Sequence, residues 1–129
     1  MSDPKDIKAL VIDDERHIRV MVRALLASMG AQILGEASNG EEGIAQFRAT
    51  NPNLVLMDIN MPVMDGVTAL SKIIEISPDQ LVIMLTSLAD METIQACVDA
   101  GAAGYLRKDL PPAELKKAIL DTWTQFNAP

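Results

Sequence analysis

Strand-like apolar runs and helix-like periodic segments alternate five times along this chain, and no other feature restricts its fold as tightly. The runs are Ala9-Leu10-Val11-Ile12, Ile33-Leu34-Gly35-Glu36-Ala37, Leu54-Val55-Leu56-Met57, Leu81-Val82-Ile83-Met84-Leu85 and Gly104-Tyr105-Leu106. Such alternation favours a sheet whose strands are joined by crossover helices, rather than a bundle or a sandwich. The first, third and fourth runs are continuously apolar, as strands covered on both faces must be, whereas the second and fifth are broken. The broken runs are therefore expected at the edges. The expectation is an α/β, doubly wound, five-stranded parallel sheet in the order 2-1-3-4-5, with five helices and a switch point between the first and third strands.

Each helix carries its own punctuation. Ile18, Val22, Leu25, Leu26 and Met29 share one face of the first, which ends at Gly30. Ile44 and Phe47 face inward on the second, before Asn51-Pro52 stops it. Asp65 is placed to cap a third helix bearing Val67, Leu70, Ile73 and Ile74, which Ser77-Pro78 terminates. Asp90 caps a fourth that runs to Gly101, and Pro111-Pro112 opens a fifth, expected to bury Leu115, Ile119, Trp123 and Phe126.

A length of 129 residues, 49% of them hydrophobic, fits one domain spanning 1–129. The single Cys97 rules out an intramolecular disulfide and a multi-cysteine zinc site; between Ile94 and Val98 it reads as core packing. The first residues lack a basic, then apolar, leader, and no run reaches membrane-spanning length, so a cytoplasmic protein is expected. A net charge of -7 with no Lys/Arg cluster argues against direct binding of nucleic acid or an anionic membrane.

Chemistry gathers at the ends of four runs: Asp13-Asp14 after the first, Asp58 after the third, Thr86 after the fourth and Lys108 after the fifth. Carboxylates brought together raise one another's pKa unless a cation neutralises them. With no histidine or cysteine nearby, hard oxygen ligands favour Mg²⁺ over zinc. Lys108 and Thr86 suit the oxygens of a phosphoryl group, and a carboxylate can be the nucleophile, giving an acyl phosphate. Asp58 stands alone at a central strand end and is the best nucleophile; Asp13-Asp14 suit metal ligation. Any one of these aspartates could instead cap a helix or begin a turn. Five such groups at four strand ends are poorly explained that way.

The segments Val11-Ile12-Asp13-Asp14-Glu15, Leu56-Met57-Asp58-Ile59-Asn60-Met61-Pro62-Val63-Met64-Asp65-Gly66, Leu85-Thr86-Ser87 and Gly101-Ala102-Ala103-Gly104-Tyr105-Leu106-Arg107-Lys108 resemble the receiver domain of bacterial response regulators, in particular the single-domain chemotaxis regulators. The resemblance covers nearly the whole chain and implies a flavodoxin-like fold. It implies that Asp58 is phosphorylated by the phosphohistidine of a sensor histidine kinase. It further implies that Asp14, Asp58 and the backbone carbonyl of Asn60 hold Mg²⁺, with Asp13 acting through water, while Thr86 and Lys108 bind phosphate oxygens. Tyr105 takes the place of the switch aromatic, moving with Thr86. The separations of Thr86 from Tyr105 and from Lys108, 19 and 22 residues, match the chemotaxis member.

On this resemblance the chain is not an enzyme, catalysing only its own phosphorylation and dephosphorylation, and it switches a downstream protein target through the fourth helix, fifth strand and fifth helix. It is expected to be a monomer or a phosphorylation-dependent dimer. Two departures stand out. Asp109 follows Lys108 where many receivers have a cis proline, so a trans bond is expected; Lys-Asp resembles receivers joined to a helix-turn-helix output domain, which makes a piece of a transcription regulator the alternative. Leu88 replaces a polar residue that helps orient water in some relatives, predicting slow self-dephosphorylation.

Readings from other classes fare worse. A Mg²⁺-dependent aspartyl-phosphate phosphatase needs Asp-x-Asp, and Asp58-Ile59-Asn60 lacks the second acid. A flavodoxin needs a hydroxyl-rich phosphate loop where Asp13-Asp14-Glu15 stands. His17, amid Arg16 and Arg19, reads as exposed surface rather than a phosphodonor. Met61 and Met64 are expected to border the site and meet the kinase.

Overall fold

Side chains alternate across the sheet with period two, and β1 (Lys8–Ile12) shows how that divides the interior. Leu10 and Ile12 join one apolar cluster, Ala9 and Val11 the other. The structure, a computed structural model, describes residues 3–87 and 90–129. After β1 the order is α1 (Arg16–Ser28), β2 (Gln32–Ala37), α2 (Gly40–Thr50), β3 (Leu54–Asp58), α3 (Gly66–Ile76), β4 (Val82–Thr86), α4 (Met91–Asp99), β5 (Gly104–Arg107) and α5 (Pro112–Phe126). All pairings are parallel and the strand order is β2-β1-β3-β4-β5, as expected.

Helices cover both faces, which is why the central strands are apolar between their ends. Phe47 of α2, Leu70 and Ile73 of α3 and Cys97 of α4 close one layer. Val22 and Leu26 of α1 with Leu115, Ile119 and Trp123 of α5 close the other. Each of these larger side chains contributes about 1.5 to 3 kcal/mol on leaving water. Two apolar layers thus clamp the sheet, so its C-terminal edge is a stiff mount.

The punctuation works as the residues suggested. Asp65 and Asp90 accept from Thr68 N and Thr93 N at the starts of α3 and α4, each at 2.8 Å. Gly30 and Gly101 have φ of 89° and 104°, and Asn51 ends α2 at φ 51°. Two expectations need correction. Phe126 is 45% exposed, because it falls in the last turn of α5, beyond the layer that Trp123 closes. Met61 is buried in the core and offers a kinase no surface, and Met64 packs half-buried against it; Val63 between them is exposed instead. Val63 also takes a φ of 68°, unusual for a β-branched residue, and Met64 N donates to Pro62 O at 2.7 Å across it.

Gly66 lets α3 start against the end of β3. Its N–H donates to Ile59 O at 2.7 Å, and a Cβ there would lie 2.0 Å from the backbone oxygen of Asp58. Gly104 is the contrast, since a Cβ would meet only Thr122 atoms at 3.8 and 3.9 Å. Gly66→Ala is expected to lower unfolding free energy by about 2 to 4 kcal/mol, and Gly104→Ala by less than about 0.5 kcal/mol, in urea titrations. Equal effects from the two substitutions would contradict this close approach.

Candidate functional site

The register of the sheet sets where the charged groups stand. Ile12 pairs with Met57, and Asp58 pairs with Leu85. Asp13, Asp58 and Thr86 therefore leave adjacent central strands at the same edge, and all three are buried. Lys108 follows β5, and its N–H donates to Thr86 O at 2.8 Å, which carries the lysine back toward the centre of the sheet.

The Lys108 ammonium lies 2.8 Å from Asp13 Oδ2, 3.1 Å from Glu15 Oε1 and 3.2 Å from Asp58 Oδ2, and its side chain is only 7% exposed. Oxygens of Asp13, Asp14, Glu15 and Asp58 all lie within 4.8 Å of one another. The backbone orients the two buried acids: Asp13 Oδ1 accepts from Glu15 N at 2.9 Å, and Asp58 Oδ1 accepts from Ile59 N at 2.8 Å. Asp13 is thus not the cap of α1, whose N-cap position is Glu15, without a side-chain cap bond.

One ammonium against four carboxylates leaves the cluster short of positive charge. Burial first, and then the negative charge of Asp13, push the Asp58 carboxyl up to about 7, against the pull of Lys108. Asp13 is raised too, chiefly by burial, although Lys108 and the Glu15 N–H hold it back. Burial alone would lower Lys108; its hydrogen bond and charge contact with Asp13, reinforced by Asp58 and Glu15, raise it instead.

Asp13, Asp14, Asp58 and Lys108 are brought together as the sequence suggested. Asn60 is exposed, two residues past Asp58, and shares the wall of an open cavity with Asp65 and Glu92. Tyr105 is 40% exposed on the edge strand, beside Met84. The Lys108–Asp109 bond is trans, and Asp109 is held by Arg107 at 2.7 Å. Leu88 lies outside the described residues. His17 is exposed, with Glu15 Oε2 3.7 Å from its Nε2, an acidic neighbour the sequence reading overlooked.

Two residues of the site were given no role from sequence. Glu15 was quoted only as part of a motif, and its contact with Lys108 spans 93 positions. Arg19 donates to the Asp13 carbonyl at 2.7 Å and to Glu36 at 3.2 Å, while Arg23 holds the other oxygen of Glu36 at 2.8 Å. The signal was the helical spacing of Arg19 and Arg23, which put both guanidiniums on one side of α1, over β2.

A family model, that of the response regulator receiver domain, matches residues 9–120. This chain belongs to the response regulator receiver domain family. Receivers serve two-component signalling, and accepting a phosphoryl group is their general role. The receiver is 39% identical over 112 residues to an uncharacterized transcriptional regulatory protein of Bacillus subtilis, YhcZ, covering 86% of this chain and 52% of that relative. It is 36% identical over 117 residues to the chemotaxis protein CheY of Halobacterium salinarum, covering 91% and 97%. Among solved structures, a chain of the CheX-CheY-BeF3-Mg complex from Borrelia burgdorferi superposes with a TM-score of 0.86 at 28% identity, over 95% of this chain and 98% of that one. The receiver thus spans about half of the transcription regulator but nearly all of the chemotaxis proteins. Among the described residues no helix is long and apolar enough to cross a membrane.

The raised Asp58 carries a sign for stability. Its unfolded value is about 3.9, so between about pH 4 and 7 the folded chain holds more protons than the unfolded one, and stability falls as pH rises through that window. Without divalent cations, Asp58→Asn is expected to stabilise the receiver by about 1 to 3 kcal/mol at pH 8, the gain vanishing near pH 4. Urea titrations in chelator at both pH values measure this; a variant no more stable at pH 8 would contradict the charge imbalance.

Proposed function

We propose that Asp58 is the phosphoryl acceptor of this receiver and takes the group from the phosphohistidine of a sensor histidine kinase. The observation that carries the reading is the contact of buried Asp58 with Lys108 inside a carboxylate cluster too negative for one ammonium. An Asp58 oxygen attacks phosphorus, the P–N bond breaks, and its electron pair leaves with the imidazole. Lys108 holds a phosphoryl oxygen as a point charge, and the buried Thr86 hydroxyl donates to another.

The cluster fits Mg²⁺. Its donors are carboxylate oxygens, no histidine or cysteine joins them among the described residues, and Lys108 alone leaves Asp58 half-protonated near pH 7. Asp13, Asp14, Asp58 and the Asn60 carbonyl would hold the ion. When bound it supplies the positive charge that the carboxylates and the phosphoryl oxygens both require. Asp13, with Lys108 and the Glu15 N–H already on its oxygens, keeps the acidic edge in place.

Thr86 and Tyr105 form the switch. Tyr105 lies at the surface in the resting arrangement, and movement of Thr86 toward the phosphoryl group draws it inward. The face of α4, β5 and α5 then changes for a downstream protein partner. The receiver acts on no substrate but itself, contacts neither nucleic acid nor membrane directly, and works in the cytoplasm as a monomer or a phosphorylation-dependent dimer. Residues 1–129 form one such unit. A second reading makes this unit part of a DNA-binding regulator, favoured by the twofold greater length of YhcZ and by Asp109 after Lys108.

Acetyl phosphate with Mg²⁺ is expected to leave one hydroxylamine-labile adduct of about 80 Da on the intact protein, acetate departing with the electrons of its P–O bond. In mass spectra Asp58→Asn should show none. An adduct that survives the substitution assigns the acceptor elsewhere.

A further inference from the structure

One contact in the acidic cluster is not required by phosphoryl transfer to Asp58. Lys108 Nζ donates to Glu15 Oε1 at 3.1 Å, tying the start of α1 to the loop before α5. An ammonium offers three N–H donors. Its carboxylate neighbours are Asp13, Glu15 and Asp58, all in ion-pair contact with it, and of the three the hydrogen bond is to Glu15. Asp13 and Asp58 are buried, but the Glu15 side chain is 47% exposed.

The Glu15 carboxylate also has no role in capping its own helix. Glu15 occupies the N-cap position of α1 without a side-chain cap bond, while its backbone is held by the N–H on Asp13 Oδ1 and by the carbonyl, which accepts from the N–H groups of Ile18 and Arg19. Its second oxygen faces exposed His17 Nε2 at 3.7 Å, toward solvent. The Glu15 carboxylate is therefore a half-exposed anion resting on the ammonium that an incoming phosphoryl group would use.

We propose that Glu15 is a resting-state counter-ion of Lys108, holding the place of a phosphoryl oxygen, so that its charge competes with the phosphoryl group and must swing out when the group arrives. This rests on the reading of Asp58 as acceptor. A unit charge on a half-exposed side chain beside a buried ammonium is worth about three- to tenfold in such an equilibrium. Glu15→Gln removes the charge but keeps an oxygen that can accept from Lys108, whereas Glu15→Ala removes both.

Calorimetric titration of beryllofluoride, in saturating Mg²⁺, into the intact wild type and both variants tests this, with Mg²⁺ titrated alone as the companion measurement. Both variants are expected to take up beryllofluoride about three- to tenfold more tightly, with Mg²⁺ alone bound no more tightly, and the gain should shrink in high salt. Affinity unchanged in both variants would overturn the proposal. Weaker uptake by Glu15→Ala with Glu15→Gln like wild type would make Glu15 an orienting group for Lys108 instead. A large loss of Mg²⁺ affinity with no gain for beryllofluoride would make it a metal ligand. A wild type that takes up no beryllofluoride overturns the acceptor reading as well.

Discussion

Four carboxylates held against a single ammonium is the constraint on which the rest of this structure depends. Isolated in water, such a group of side chains would spread apart. Here Asp13 and Asp58 cannot, because each follows or ends a run of buried residues on a central strand, and an apolar layer packs on either face of those strands. Burial, which disfavours the charged form, and then repulsion that distance cannot relieve are answered by protons, which is why the Asp58 carboxyl stands near 7. A divalent cation relieves that repulsion more completely. The same deficit would favour binding of such an ion and, with the ion bound, would leave the Asp58 carboxylate ionised.

The mount matters as much as the charges. Gly66 lets the first turn of α3 lie on the backbone of Asp58 and Ile59, and Asp65 caps that turn, so the segment after Asp58 is braced against its own strand. On the far side, the Lys108 N–H bonds to Thr86 O. Asp58, Thr86 and Lys108 thus sit at neighbouring strand ends.

Much of this was legible in the residues. Continuous apolar runs against broken ones separated central strands from edges, and the end of each run pointed to Asp13, Asp58, Thr86 and Lys108 without any knowledge of contacts. What escaped depended on length and direction rather than on type. Phe126 keeps the helical period of Leu115, Ile119 and Trp123, but α5 outruns the sheet there. Met61 and Met64 looked like loop surface; the tight turn at Val63 folds them inward and leaves the valine outside. Glu15 and Arg19 gained roles only through partners brought near by the fold, Lys108 and the pair Asp13 and Glu36. Local pattern carries no information about such pairings until the strand order is combined with side-chain reach.

Relatives of two lengths share this domain, one kind ending with it and the other continuing. The acidic edge is complete in either setting, since its side chains lie within four strand ends and the loops that follow them. The most direct test of the central claim is a calorimetric titration of Mg²⁺ into the protein at pH 8 and again at pH 6. One ion per chain is expected, bound distinctly more weakly at pH 6, where Asp58 must first give up its proton. Affinity unaffected by pH, or no saturable uptake at all, would contradict it.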